Sequence, residues 1–126
     1  VLTFASDLAP QIYAGSDLFL MPSLFEPCGL GQLIAMRYSS VPVVRSTGGL
    51  ADTVRDGHTG FTFHEFTADA FWMALQRGLF VHNTDAQAWA RLRHNGMAAA
   101  VSWSGAAERY VQLYEGALAR TRTHEG

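Results

Sequence analysis

The fold of this chain is decided by one stretch, residues 17–45, which reads DLFLMPSLFEPCGLGQLIAMRYSSVPVVR. It begins with a continuous apolar run, Asp17–Met21, that Pro22 ends. Such a run predicts a strand buried on both faces, as parallel strands are. A loop then leads into a predicted helix from about Gly29 to Tyr38, and Val41–Arg45 follows as the next strand. Two strands joined through a helix predict a parallel pair.

The predicted helix carries an apolar stripe at helical spacing, formed by Leu30, Leu33, Ile34 and Tyr38. A stripe of this kind is typical of a helix that packs through one side. Pro42 lies near the start of the strand that follows, where a proline is permitted.

The flanking segments continue the alternation of strands and helices. Val1–Phe4 predicts a further strand and Leu8–Ala14 a helix, while Leu50–Val54 predicts a short helix and Gly60–Phe63 a last short strand. We therefore expect an α/β fold with about four parallel strands flanked by helices. Because this is a thin sheet, we also expect an exposed sheet edge, through which the chain could form a homo-oligomer.

After residue 66 the pattern changes to helices alone. Thr67 is predicted to cap one helix, either Thr84 or Asp85 a second and Ser104 a third, because their side chains can accept hydrogen bonds from first-turn amides. We divide the chain into residues 1–66, a strand–loop–helix part, and residues 67–126, C-terminal helices that pack on the same domain. The tail from Thr121 is expected to fray. The aromatic side chains expected in helical core positions are Phe71, Trp72, Trp89 and Trp103.

Composition excludes several classes of function. The formal net charge is −2 and no run of Lys or Arg occurs, which argues against a nucleic-acid partner and against binding to a membrane surface. Cys28 is the only cysteine, so there is no disulfide framework and no multi-cysteine metal site, as is compatible with a cytoplasmic location. No signal peptide or membrane-spanning stretch is recognised, and the start at Val1 suggests a cut inside a longer protein.

Two glycine-bearing loops follow predicted strands, residues 22–31 and residues 46–50. In an open parallel sheet, ligands bind beyond the carboxyl ends of the strands, where these loops lie. The small residues around Gly29 let a ligand approach the backbone, and unpaired first-turn amides can donate to phosphate. Glu26 adds an acceptor for sugar hydroxyls. Amide donors with one carboxylate suit a sugar diphosphate, although the same pattern also occurs as a purely structural turn.

The residues also carry a resemblance to a known family. The stretch from Asp17 to Val54, with its FEPCGL and TGGLADTV segments, resembles the signature block of bacterial glycogen synthases and plant starch synthases. The later segment WSGAAERY at Trp103–Tyr110, followed by Leu113 and Tyr114, resembles the closing helix of the same family. The resemblance implies the C-terminal part of a GT-B glucosyltransferase, in which two Rossmann-like domains face a cleft.

The resemblance also implies roles for individual residues. Glu26 is expected at the donor glucose as the catalytic residue, and Phe4 is expected to stack on adenine. The backbone amides of Cys28 and Gly29 would hold sugar hydroxyls, and those of Leu30 and Gly31 would face the pyrophosphate. The second turn of this substrate-binding site would be formed by Thr47, Gly48 and Gly49.

The implied reaction is the transfer of glucose from ADP-glucose to the non-reducing end of an α-1,4-glucan, with retention at the anomeric carbon. No cofactor and no metal is expected, and the partners are the nucleotide-sugar donor and the glucan acceptor. His58, His64, His82 and His94 are consistent with this, because their spacing matches no metal site. The residues do not distinguish ADP-glucose from UDP-glucose.

The sequence departs from the family pattern at two positions. The family usually has a polar or basic residue at Leu24, and Asn or Thr at Gly31. In the family, the basic pair that neutralises the donor phosphates lies upstream of Val1, so we expect the 126-residue chain alone to show no turnover. Two alternatives remain: another nucleotide-sugar-dependent retaining glycosyltransferase, or a truncated, non-catalytic, self-associating module.

Overall fold

The structure, a computed structural model, describes residues 6–99 and 103–124. Its strands are β1 (Leu18–Met21), β2 (Val41–Arg45) and β3 (Phe61–Phe63). Its helices are α1 (Ala9–Gly15), α2 (Gly31–Arg37), α3 (Gly48–Thr53), α4 (Ala68–Thr84), α5 (Ala86–Ala98) and α6 (Trp103–His124). The alternation of strands and helices up to residue 63 confirms the predicted α/β class.

The three strands form one parallel sheet in the order β1-β2-β3. Leu18 pairs with Val41 at the start of the first ladder, and Val43 pairs with Phe61 at the start of the second. The described sheet therefore has three strands and not the predicted four. The remaining predicted strand, Val1–Phe4, lies outside the described residues.

The prediction of a strand buried on both faces applies to β2 and was wrong for β1. Val41 to Val44 are all buried, whereas the side chain of Leu20 is 45% exposed. The physical reason is position, because β2 lies between two strands and β1 is the outermost strand of the described sheet.

Pro42 occupies the central strand without breaking a ladder. The N–H of Val41 donates to the carbonyl oxygen of Asp17, on the β1 side. Successive backbone groups alternate in direction along a strand, so the nitrogen of Pro42 points to the β3 side. Pairing on that side begins only at Val43. The missing N–H of the proline therefore costs no ladder hydrogen bond.

The core covers both faces of the sheet. One cluster joins Val41, Val43 and Phe61 of the strands with buried residues of α4 and α5, namely Ala74, Trp89 and Leu92. On the other face, Val44 packs with Leu50 and Val54 around α3. Residues from 1–66 and from 67–126 thus share one cluster, and the division at residue 66 stays a prediction.

The ends of the long helices show which caps the chain uses. The Thr67 hydroxyl accepts from the N–H of Ala70 at 3.2 Å, which confirms that cap. Of the two alternatives for α5, Asp85 is the cap, because its carboxylate accepts from the N–H of Ala88 at 2.8 Å. The prediction for Ser104 was wrong, because α6 already includes Trp103. The helix also continues beyond Thr121 to His124, where a frayed tail was expected.

Several apolar side chains that were predicted to pack inward lie on the surface. Trp89 is buried and Phe71 is half-buried, but Trp72 and Trp103 are 52% and 87% exposed. Helical spacing identifies residues that share a face, and tertiary docking decides which face is covered.

The same rule explains α2. The residues that α2 buries are Gln32, Ala35 and Met36. Met36 packs against Gly96 of α5, where an added Cβ would lie 3.3 Å from the Met36 side chain. Three residues of the predicted apolar stripe, Leu30, Ile34 and Tyr38, are exposed.

The outer edge of β3 is closed by two side chains. The Asp56 carboxylate accepts from the N–H of Thr62 at 2.7 Å and pairs with the Arg77 guanidinium at 2.6 Å. Arg77 also lies over the ring of Phe61, with its guanidinium carbon 5.4 Å from the ring centroid. A charged pair on an edge strand blocks pairing with another chain.

Candidate functional site

The two predicted glycine-bearing turns lie against each other at the carboxyl ends of the strands. The N–H of Gly49 donates to the carbonyl oxygen of Glu26 at 2.9 Å. A Cβ on Gly48 would overlap that same carbonyl, and one on Gly49 would overlap the carbonyl of Cys28. Only glycines allow the two backbones to approach this closely. The structure therefore brings the residues predicted in the two turns into one surface.

A buried amide side chain connects the same turns on the protein-interior side. Gln32 is fully buried, and its Nε2 donates to the carbonyl oxygen of Gly29 at 2.9 Å and to the Thr53 hydroxyl at 3.1 Å. The Thr53 hydroxyl donates to the carbonyl oxygen of Gly49 at 2.6 Å. Gly29 has φ +71°, and a Cβ there would lie 2.5 Å from the Gln32 side chain. Its conformation and the space beside it both require glycine.

Arg45 holds the beginning of the first turn. It ends β2, and its guanidinium donates to the carbonyl oxygens of Leu24 at 2.5 Å and His64 at 2.9 Å. The guanidinium carbon also lies 5.6 Å from the ring centroid of Phe66. One rigid, forked cation thus ties the segment before Glu26 to the segment after β3.

The predicted donor-binding residues form an open surface. Cys28 is an exposed free thiol, and the Leu30 side chain is 69% exposed. Glu26 is half-buried, and within residues 6–99 and 103–124 its carboxylate makes no hydrogen bond or ion pair. Phe4, predicted to stack on adenine, lies outside the described residues.

The carboxylate of Glu26 does not cap the helix that follows it. The N-cap of α2 is Leu30, and no side chain accepts a hydrogen bond there. The N-cap of α3, Thr47, is likewise without a side-chain hydrogen bond, whereas α4 and α5 are both capped. Glu26 therefore has no role as a helix cap in this structure.

The backbone amides in the two turns differ in availability. In the described part of the chain, the amides of Leu30 and Gly31 donate to no protein acceptor, as is usual where a helix begins. The amide of Gly49, by contrast, is engaged by Glu26. Gly49 can therefore shape the surface but cannot donate to a ligand in this arrangement. Leu30 and Gly31 thus offer free donors in the first turn, whereas the Gly49 amide of the second turn is occupied.

A side chain at Gly31 would meet two aromatic rings. A Cβ on Gly31 would lie 3.0 Å from the Phe19 ring and 3.5 Å from the Tyr13 hydroxyl. The Tyr13 and Phe19 rings are themselves in contact, with centroids 5.5 Å apart. A larger residue would have to displace this aromatic pair.

Two cavities in the described part of the structure lie elsewhere. One, of about 700 Å³, is lined by polar side chains that include Asp52, Arg55, His58, Asn95 and Arg109. The other, of about 240 Å³, is apolar and lies beside Pro22, Phe63 and Phe71. Neither of these two cavities is lined by Glu26 or by the backbone after Cys28.

Two further features are absent from residues 6–99 and 103–124. No group of three or more His, Cys, Asp or Glu side chains lies close enough together to hold a metal ion. None of the helices is both long enough and apolar enough to cross a membrane.

Sequence reasoning missed two residues that organise this surface, Gln32 and Arg45. Gln32 is a single polar residue inside an apolar helical run, and that pattern was a usable signal. Arg45 carried no comparable signal, because its acceptors are backbone carbonyls that are distant in sequence.

Comparison with known proteins agrees with this geometry. The family model described as "Glycosyl transferases group 1" matches residues 1–80, and the chain belongs to that family. The chain is 60% identical over 120 residues to glycogen synthase 2 of Geobacter sulfurreducens, a match that covers 90% of this chain and 24% of that protein. The chain thus spans about a quarter of the length of the curated relatives it matches.

Solved structures show the same similarity. The catalytic domain of starch synthase IV from Arabidopsis thaliana, bound to ADP and acarbose, superposes with a TM-score of 0.84 at 41% identity. That match covers 94% of this chain and 26% of the starch synthase. Sucrose-phosphate synthase from Thermosynechococcus elongatus superposes with a TM-score of 0.64 at 28% identity, over 86% of this chain and 27% of that one. The resemblance to glycogen and starch synthases is confirmed.

Proposed function

We propose that this chain is the donor-binding part of a glucan synthase, which transfers glucose from ADP-glucose to the non-reducing end of an α-1,4-glucan. The observation that carries the proposal is the contact of the two glycine turns, through the hydrogen bond from Gly49 to Glu26. It holds a free carboxylate and free backbone donors on one surface, as recognition of a sugar diphosphate requires. The 60% identity to a glycogen synthase supports the substrate class.

The proposed roles follow from what each group can donate or accept. The Glu26 carboxylate, which makes no hydrogen bond within the described residues, would accept from the glucose hydroxyls. The amides of Cys28 and Gly29 would donate to sugar hydroxyls, and those of Leu30 and Gly31 would donate to the diphosphate. The second turn would act chiefly through the shape that Gly48 and Gly49 permit. Phe4 would stack on the adenine.

The chemistry assigned to this surface is stabilisation of the leaving group. When the bond between the anomeric carbon and the diphosphate oxygen breaks, negative charge develops on the diphosphate. The acceptor oxygen then forms the new bond to the anomeric carbon, and its proton passes to the departing diphosphate. Fixed donors aimed at that charge lower the barrier by several kcal/mol. Backbone amides supply part of this effect, and we propose that no metal or cofactor is needed.

The nucleotide preference is proposed as ADP. The solved starch synthase that superposes on this chain is bound to ADP. Another nucleotide-sugar-dependent transferase is the less favoured alternative, because the sucrose-phosphate synthase is less similar in both sequence and structure.

Self-association through a sheet edge stays a prediction, and the structure makes one of the two edges unsuitable for it. The outer edge of β3 is occupied by Asp56 and Arg77, so pairing between copies would have to use the β1 side. Light scattering of the purified chain tests this: a dimer or larger species is expected, and a stable monomer at all concentrations would contradict it. A cytoplasmic location also stays a prediction, supported by the single Cys28.

Calorimetric titration of the 126-residue chain with ADP and ADP-glucose tests the proposal. We expect weak binding, with Kd on the order of 1 mM, because the proposed donors to the diphosphate are neutral backbone amides. Glu26→Gln should weaken ADP-glucose but leave ADP unchanged, since the carboxylate addresses the sugar. His94→Gln, on the exposed surface of α5, is the matched control. Absence of binding to either ligand by a folded chain would refute the proposal.

A further inference from the structure

Gln32 has an environment that packing alone does not explain. It is fully buried in a helix that otherwise buries Ala35 and Met36. Its Oε1 is buried and has no hydrogen-bond partner in the described structure. A buried carbonyl oxygen without a partner is unfavourable, and an apolar side chain of similar size would avoid that cost. The amide nitrogen must therefore supply something that offsets the unpaired oxygen.

The contacts of that nitrogen identify what it supplies. Nε2 donates to the carbonyl oxygen of Gly29 at 2.9 Å and to the Thr53 hydroxyl at 3.1 Å, and it lies 3.4 Å from the carbonyl oxygen of Cys28. The carbonyl groups only accept, and the Thr53 hydroxyl spends its single proton on the carbonyl oxygen of Gly49. All three neighbours therefore require a donor, which determines the orientation of the amide group.

The bonds form a continuous chain that includes both turns. It runs from Gly29 through the Gln32 amide to the Thr53 hydroxyl, and from there to the Gly49 carbonyl. The Gly49 N–H then donates to the carbonyl oxygen of Glu26. A connected network of buried hydrogen bonds holds its members more rigidly than separate pairs do.

We propose that Gln32 is a positioning residue, which holds the backbone of Gly29 and the Glu26 turn in the arrangement that receives the nucleotide sugar. This inference rests on the proposed function. Gln32 contacts no substrate in this role and acts through the two turns. The positioning role needs both N–H groups of the Gln32 amide, because the carbonyl oxygen of Gly29 and the Thr53 hydroxyl lie on different segments and accept at the same time.

Two pairs of variants test the role on the full 126-residue chain. Gln32→Met keeps the length of the side chain and removes both donors, and Gln32→Glu keeps the shape with acceptors in place of donors. Thr53→Val removes the hydroxyl at constant volume, whereas Thr53→Ser retains it. Thr53→Ser should behave as the unchanged chain does. The other three variants should lose the hydrogen-bonded connection between Gly29 and Gly49.

The first measurement is backbone hydrogen exchange and amide chemical shift in the ligand-free chain. We expect the Gly49 amide to exchange about tenfold faster in Gln32→Met and Thr53→Val, with a shifted Gly29 resonance. Met36→Ala is the control: it removes the packing against Gly96 one turn further along α2, so it lowers stability and should leave the Gly29 resonance unchanged. The exchange rates of the Gly49 amide in these variants are compared under conditions in which all have the same free energy of unfolding.

The second measurement is the Kd for ADP-glucose, which should rise on the order of tenfold in the same variants. If the unchanged chain binds no ligand, the proposed function fails, and the exchange measurement still tests the positioning role. Wild-type shifts and exchange in Gln32→Met would overturn the inference. Equal losses in Thr53→Ser and Thr53→Val would also overturn it, because packing would then account for both. Should Gln32→Met not fold, the threonine pair decides.

Discussion

The backbone N–H of Gly49 donates a hydrogen bond of 2.9 Å to the carbonyl oxygen of Glu26, which joins two turns that are 23 residues apart in the chain. The bond exists because no side chain separates the two backbones. It places the start of α3 directly against the loop that carries the predicted catalytic carboxylate. Predictions about this surface therefore concern backbone geometry as much as side-chain chemistry.

Gly49→Ala should destabilise the chain and remove nucleotide-sugar binding. The new methyl group would overlap the carbonyl of Cys28, and neither backbone can move without breaking the bond to Glu26. We expect a loss of about 1–3 kcal/mol in the free energy of unfolding, measured by chemical denaturation.

Gly15→Ala is the matched control for that substitution. Gly15 ends α1 and has no atom within 4 Å of an added Cβ. Alanine in a helix should be neutral or stabilising by about 0.5–1 kcal/mol. Equal destabilisation by both substitutions would show that the close approach at Gly49 is not the cause.

Arg45→Met should loosen the segment before Glu26. The substitution removes the two hydrogen bonds to the carbonyl oxygens of Leu24 and His64 while retaining an apolar stem. Hydrogen exchange should accelerate at residues 23–26, and the free energy of unfolding should fall by about 1–2 kcal/mol. Arg45→Lys should rescue only part of the effect, because a single ammonium group cannot form the same fork. Full rescue by lysine would contradict the bidentate role.

Asp56→Ala should open the outer edge of β3. The change leaves the Thr62 N–H without its acceptor and Arg77 without its ion pair. Both side chains of that pair are about half exposed, so we expect a loss of only about 1 kcal/mol. The Thr62 amide should exchange faster, and light scattering should show more association. Asp56→Asn keeps the acceptor without the charge, and its Thr62 amide should stay protected; loss of protection there would assign the effect to charge.

Thr67→Ala and Asp85→Ala should each cost about 1 kcal/mol, because each removes a side-chain acceptor at a helix start. Thr84→Ala should cost less, since the Thr84 hydroxyl donates back to the carbonyl oxygen of Phe80 and caps no helix. Thermal unfolding of the three variants checks the order. A larger loss of stability from Thr84→Ala than from Asp85→Ala would show that Asp85 is not the cap of α5.

Local features of this chain could be read from its residues. Strands β2 and β3, helix α4 and its Thr67 cap follow from apolar runs and cap chemistry that act within a few residues. The family was also recognisable, because the FEPCGL and TGGLADTV segments are long and specific. The sequence likewise predicted which two turns would meet, since parallel strands bring their carboxyl ends to one edge.

The direction in which each surface faces was decided only by the tertiary structure. Helical spacing grouped Leu30, Ile34 and Tyr38, yet the docking of α2 through Met36 left them exposed and buried Gln32 instead. The links from Gln32 to Thr53 and from Arg45 to His64 join segments 21 and 19 residues apart. The sequence determined the elements because their forces are local. The tertiary structure determined the partners, because a buried donor finds its acceptor only after the elements have packed.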